Sequence, residues 1–521
     1  MPHAKLLQYE SLRTVLFHMD ANISVLLSNR CPSIRITERD VSLKIKLLKF
    51  QHVETILNDT SYKLGIVRDY PEGVEIPRRY QQENDHGGVS WDLDKFGFTV
   101  DSESRVLTTG DVPLRRNMRS PDPLPYEAMM QVEEIEQMFE TCKNKLARRI
   151  EMDTLEEEMA ANFAAQEHPL NSVPWFEVPN YRVPIFPLVL IEELHRDMEE
   201  EYYDESNPVG YWSKSHNPEQ DEYEELMETS LSALQERKDD VEASYLPFYY
   251  RKHNMSPPFT PLLQLTIESP EGKRIHKFPY RYKLQDAMKK LNTVLLGGRN
   301  QPVKVKEMVL EEDMVVLRLP IGLKLSLKAL SATAEAIHLL APLMEESPFD
   351  QLHITRTCWF PEVLRSPAVH TAQKLIIEQY DFRFMEPQEP ADFMDPQEPA
   401  VFEDLPNLVV ELKSLMRENL EEDDFSRVLQ SWISNGRPDG THYSIELPQD
   451  ENNQEFFEAI GNLDGAMKGN RSFTFPMING LHLTVSYHES VAYFMDDDGE
   501  EVTGSEWSVE FKVHGEAAKE F

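Results

Sequence analysis

Residues 302–310 (PVKVKEMVL), 315–327 (VVLRLPIGLKLSL), 329–346 (ALSATAEAIHLLAPLMEE), 351–356 (QLHITR) and 372–380 (AQKLIIEQY) decide the fold. The first, second, fourth and fifth segments are short, apolar and rich in Val, Ile and Leu, the composition of strands. The third sets Leu330, Ala334, Ile337 and Ala341 at helical spacing and predicts a helix. Strand and helix therefore alternate. Upstream, LLQLTIES (262–269) and RIHKFPYRY (274–282) flank Ser269-Pro270-Glu271-Gly272, with Pro and Gly where a type I turn wants them, so a hairpin is expected. LQDAMKKLNTVLLGG (284–298) predicts a helix stopped at Gly297.

Downstream the alternation resumes. NLVVELKSL (407–415) and THYSIEL (441–447) are predicted strands. Between them, DDFSRVLQSWISNG (423–436) puts Phe425, Val428, Leu429, Trp432 and Ile433 on one helical stripe closed by Asn435-Gly436. NNQEFFEAI (452–460) predicts a short helix; residues 480–495 and 505–515 alternate as strands. The expected fold class is mixed α/β. An N-terminal helical hairpin and a small β module precede a curved, largely parallel sheet with helices on one side, leucine-rich-repeat-like although no strict period is visible.

At the other end, Leu12, Val15, Leu16 and Met19 fall at i, i+3, i+4 and i+7. Asp20 or Asn22 can cap a second helix carrying Ile23, Leu26 and Leu27, and Pro32 restricts Cys31 and ends it. SLKIKLLKF (42–50) and TSYKLGIVRDY (60–70) are predicted strands. The expected organisation is a hairpin over 1–37, a β-rich module over 38–125, an acidic, partly helical and partly disordered insertion over 126–250, and an α/β domain in two halves, 257–380 and 405–521. The halves are split by 381–404, where FMEPQEPAD is repeated as FMDPQEPAV and followed by Phe402. Two prolines per unit keep that segment out of regular structure, so it is expected to be a linker, or a bivalent docking peptide presenting Phe384, Phe393 and Phe402.

Bulk properties narrow the function. Acidic residues number 91 against 53 basic ones, a net charge of −38. That field repels nucleic acid and anionic membrane surfaces. Cys31, Cys142 and Cys358 are too few for a disulfide framework and lack metal-ligand spacing. The sequons at Asn22, Asn58 and Asn470 are expected to be chance matches. No apolar run approaches a membrane span and no apolar leader opens the chain, so a cytoplasmic or nuclear location is expected.

Catalytic signatures are missing. There is no phosphate-binding GxxxxGK[ST], no HExxH, no GxSxG and no GxGxxG. Asp496–Asp498 with Gly499, Glu500 and Glu501 form a contiguous acidic run, which suits a solvated turn better than the alternate acids of a calcium loop. Cys358, His353 and His370 could approach one another, but nothing in the sequence fixes their geometry. The expectation is a non-enzyme without metal or cofactor.

Two resemblances add to this. Leu12, Val15, Leu16, Met19-Asp20, Leu26, Leu27, Cys31 and Arg35 resemble the two-helix pattern of a divergent F-box, with Gln8 and Tyr9 where the family usually has Leu-Pro. RCPSIR (30–35), NDTSYKLGIVRDYPEG (58–73), GGVSWDLDKFGF (87–98), TTGDVPLRR (108–116), PPFTPLLQLTIESPEGKRI (257–275), LNTVLLGGR (291–299) and VVLRLPIGLKLSL are similar to a large nematode family of uncharacterised proteins. LEEDDFSRVLQSWISNG (420–436) is similar to the C-terminal region of nematode F-box-associated proteins. The F-box resemblance implies a substrate adaptor. Leu12, Val15, Leu16, Met19, Leu26 and Leu27 would dock a Skp1-like linker of a ubiquitin ligase, and the α/β block would hold an unknown protein target. The alternative is a non-catalytic scaffold in which those helices are only structural.

Overall fold

The computed structural model describes residues 9–100, 106–115, 132–165, 175–178, 181–184, 229–312, 314–345, 347–355, 366–378, 405–413, 422–448, 457, 460–495 and 501–515. The FMxPQEPA duplication, Cys358 and the acidic run at 496–500 lie outside them. Fifteen strands form one open mixed sheet. In chain order they are β1 (Lys44–Gln51), β2 (Glu54–Leu57), β3 (Thr60–Asp69), β4 (Thr260–Ser269), β5 (Gly272–Pro279), β6 (Val303–Leu310), β7 (Leu325–Thr333), β8 (Gln351–Thr355), β9 (Lys374–Glu378), β10 (Val409–Lys413), β11 (His442–Pro448), β12 (Met467–Lys468), β13 (Ser472–Pro476), β14 (His482–Met495) and β15 (Glu501–His514). Across the sheet the order is β5-β4-β3-β2-β1-β6-β7-β8-β9-β10-β11-β15-β14-β13-β12.

The centre of the sheet, from β1 through β6 to β11, is parallel, and β6 to β11 lie side by side in chain order. Two antiparallel wings flank it: β1 to β5 on one side, and β11, β15, β14, β13 and β12 on the other. The strands expected of the N-terminal β module are thus joined edge to edge with those of the α/β block. The hydrophobic alternation of the sequence sets the register. Leu48, Met308, Leu330, Leu352, Leu375, Val410, Tyr443 and Phe511 are paired neighbour to neighbour, one per strand, in a single buried row. A slip of one residue in any strand would turn its member of the row outward.

Two boundaries differ from expectation. The strand read at 315–327 is split. Val316–Leu317 pairs only with Val112–Pro113, and the sheet strand β7 runs on to Thr333. The helix therefore starts later, at α8 (Ala334–Leu340), with Thr333 as its cap, and Leu330 is a strand residue. Ser-Ala-Thr-Ala is neutral between the two states, so the parallel pairing of Leu330 with Met308 and Leu352 overrides helical spacing.

The remaining helices are α1 (Tyr9–His18), α2 (Ala21–Arg30), α3 (Pro32–Asp40), α4 (Arg78–Asp85), α5 (Val132–Ala165), α6 (Leu231–Lys252), α7 (Leu284–Leu296), α9 (Pro367–Thr371) and α10 (Glu422–Asn435). Helix α7 ends as expected at Gly297; a Cβ there would sit 2.6 Å from the Thr293 carbonyl oxygen, so only glycine fits. From the acidic insertion, α5 and α6 run antiparallel: Phe139 stacks on Tyr245, Lys252 pairs with Glu136 at 2.6 Å, and Leu146 packs on Leu234. Helix α6 is anchored in turn to the N-terminal half. The Tyr80 hydroxyl donates to the Ala243 carbonyl, and Phe98 meets Phe248 edge-on.

Candidate protein-binding surfaces

The N-terminal helices are three, not two. Asp20 caps α2 by accepting from the Asn22 N–H at 2.8 Å, as the sequence suggests. Pro32 does more than stop α2: it opens α3 at the first-turn position that tolerates proline. The β-branched Ile34, Ile36 and Thr37 hide this helix from pattern reading.

The inner face of this helical unit is locked to the body. Ala21 and Val25 join the main core, and Leu16 is 4% exposed. The Asn22 amide donates to the Leu57 carbonyl and the Thr60 hydroxyl, and accepts from Tyr62. Burial first, then Asp20 and Asp59, push the Tyr62 hydroxyl above its usual range, keeping it protonated and able to donate. Glu38 of α3 accepts from Ser24 at 3.0 Å and pairs with Arg299 at 2.6 Å, both charges almost completely buried. The Asn58 amide nitrogen donates to Asp20. The amide nitrogens of two of the three sequons thus hold internal bonds.

The outer face is apolar and uncovered. Val15 is 46% exposed, Ile23 52% and Leu26 41%, while Leu12, Met19 and Leu27 are half-buried. Of the six residues expected to meet a partner, five therefore retain accessible surface and Leu16 does not. Ile23, which the pattern placed on the second helix, belongs with the exposed five. Helix α2 is inverted relative to an ordinary surface helix: its buried positions are Ala21, Ser24, Val25 and Ser28, and its largest apolar side chains face outward.

A second surface is the more polar face of the parallel sheet. Opposite the buried row, Ser331, His353, Ile376, Glu411, Ser444 and Glu510 follow one another strand by strand, with Gln351, Lys374, Val409, His442 and Lys512 in the next row. Most are polar and half-buried. Lys374 pairs with Glu411 at 2.6 Å. Burial works to raise the Glu510 carboxyl, but Lys512, His442 and His488 outweigh it and hold it below its usual range. His353 does not meet His370, which lies exposed on α9. It contacts the Ser331 hydroxyl at 3.1 Å and Glu378 at 3.0 Å instead. Hydroxyl, imidazole and carboxylate in that order match a hydrolase triad. Here they cross three adjacent strands, β7, β8 and β9. The arrangement is a cross-strand polar network.

Among the described residues, no three His, Cys, Asp or Glu side chains are placed to hold a metal ion, and no helix is long and apolar enough to cross a membrane. Residues 283–449 match the model of a domain of unknown function, DUF3557. That span runs from α7 to β11 and so takes in all six chain-ordered parallel strands. No curated protein and no solved structure gives a match.

Proposed function

We propose that this chain is a protein-binding adaptor, its N-terminal helices docking a Skp1-like linker of a ubiquitin ligase and its sheet body carrying the target. The observation that carries the proposal is the inversion of α2, with small residues inward and Ile23 and Leu26 outward at 52% and 41% exposure. An apolar helix face laid into a partner groove is a recurring recognition mode. The leucine-rich-repeat-like architecture belongs to the same proposal. Six parallel strands in chain order, starting at residues 303, 325, 351, 374, 409 and 442, support it, as does the half-buried polar face they present.

Leu16 cannot test the idea, because an acid there would disrupt the core. The test is binding of purified Skp1-like linker to the full chain and to its Ile23→Asp/Leu26→Asp variant. The wild type captures the linker, and the variant binds roughly 100-fold more weakly at unchanged thermal stability. The scaffold alternative expects no linker on the wild type. That result, or equal binding by both proteins, rejects the adaptor.

A further inference from the structure

Strand β5 ends the large sheet. Among the described residues it pairs with β4 on one side only, and all eight of its residues are exposed. Alternate residues of an edge strand direct main-chain N–H and C=O groups away from the sheet, where another strand can pair with them. Residues 272–283 read GKRIHKFPYRYK. They hold Lys273, Arg274, Lys277, Arg281 and Lys283 with His276 and no acid, in a chain that carries 38 more acidic than basic residues. Ile275, Phe278 and Tyr282 stand among these cations at 50%, 47% and 55% exposure. Lys290 from α7 lies 3.0 Å over the Tyr282 ring and adds a further positive charge.

Lysines alone on an edge are a common guard against aggregation. This edge differs by carrying cations on both faces of the strand together with large exposed apolar groups. Lys273, Ile275 and Lys277 share one face; Arg274, His276 and Phe278 share the other. Two copies meeting here would set cation against cation, so the edge rejects its own kind. A strand with acids at alternate positions would instead place each carboxylate opposite a cation at the spacing of cross-strand pairs, with its apolar residues against Ile275 or Phe278.

We infer that β5 is a strand-addition site for an extended acidic peptide of a partner protein, its free edge supplying main-chain hydrogen bonds and Lys273, Arg274 and Lys277 supplying selectivity. Nucleic acid offers the charge but no peptide backbone to pair with β5. The site is independent of the N-terminal helices.

The experiment is fluorescence anisotropy with the full chain and a labelled eight-residue peptide alternating Glu and Val. Its Lys–Val counterpart, a version N-methylated at alternate residues, and a single-stranded oligonucleotide serve as comparison probes. The Glu–Val peptide binds, and added salt weakens it. The Lys–Val, N-methylated and oligonucleotide probes do not bind. Lys273→Glu/Lys277→Glu weakens binding at least about tenfold without changing thermal stability, as expected for exposed charges. Ile23→Asp/Leu26→Asp binds the peptide like the wild type, so loss of linker docking and loss of peptide addition are separable. Failure of the Glu–Val peptide to bind the wild type overturns the inference. So does equal binding of the N-methylated peptide, which would reduce the site to charge alone, or tighter binding of the oligonucleotide.

Discussion

Helices α2 and α10 are both short and rich in apolar residues, yet they spend those residues in opposite ways. In α10, Leu429 and Trp432 are fully buried and Val428 and Ile433 pack beside them. The Trp432 ring meets Tyr443 edge-on at 4.7 Å, so the helix rests on the buried row of the sheet. In α2 the anchoring is done by Ala21 and Val25 and by the Asn22 hydrogen bonds, while Ile23 and Leu26 stay in solvent. A helix that served packing alone would be arranged like α10. The difference teaches that a stripe in a sequence tells which residues are apolar together, but not whether the chain itself covers them.

The largest effect should come from breaking the α10 side of this contrast. Trp432→Ala removes a 1%-exposed ring between Tyr443 and Phe511. It should cost roughly 3–5 kcal/mol in denaturant unfolding, because the surrounding sheet cannot close the cavity. A loss near 1 kcal/mol would mean that α10 is loosely seated, and the contrast with α2 would fail.

A charged group sharpens the same point, since the body also turns polar chemistry inward. Asp111, its side chain shielded from solvent, accepts from the Thr108 N–H and hydroxyl, and pairs with Lys289 at 2.8 Å and Arg318 at 2.7 Å. It ties the 106–115 segment to α7 and to the strand-like pair at 316–317. Burial works to raise its carboxyl, but Lys289, Thr108 and Arg318 outweigh it and hold it below the usual range. Asp111→Ala removes the carboxylate partner of two cations and should cost about 3 kcal/mol at neutral pH. Because the folded carboxyl is depressed, its contribution is present above the unfolded value of ~3.9 and fades as the pH falls through the lower folded value. Urea midpoints from pH 5 downward should drop in the wild type, with the Asp111→Ala variant lacking that component; parallel pH curves would refute the latch.

The parallel centre of the sheet was legible because its strands repeat one signal, a short run rich in Val, Ile and Leu, and because Gly297 marks the end of the helix before it; the Pro270–Glu271 turn did the same for the β4–β5 hairpin. The precise end of β7 was not, since Ser331 to Thr333 carry no strong propensity and only the pairing partners decide. Pattern also failed at α3, where proline reads as a stop although it equally starts a helix. Of the six residues read as a docking face, Met19 falls between α1 and α2, and the sequence could not separate Leu16, which is core, from Val15 and Leu26, which are surface. Neighbours one position apart on a helix face differ in fate according to what packs there, and that is long-range information.

The smallest expected effect is the most diagnostic for α2. Ile23→Ser trims a side chain that is 52% exposed on a helix already held by Asp20, Asn22, Ala21 and Val25. Stability in denaturant should change by no more than ~0.5 kcal/mol, as for surface substitutions generally. Trp432→Ala and Ile23→Ser should then differ several-fold in cost although both remove apolar atoms from a short helix. A loss above ~1.5 kcal/mol at Ile23 would mean that the isolated protein buries this side chain. The outward face of α2 would then be part of its own core, and the ground for a docking partner there would be gone.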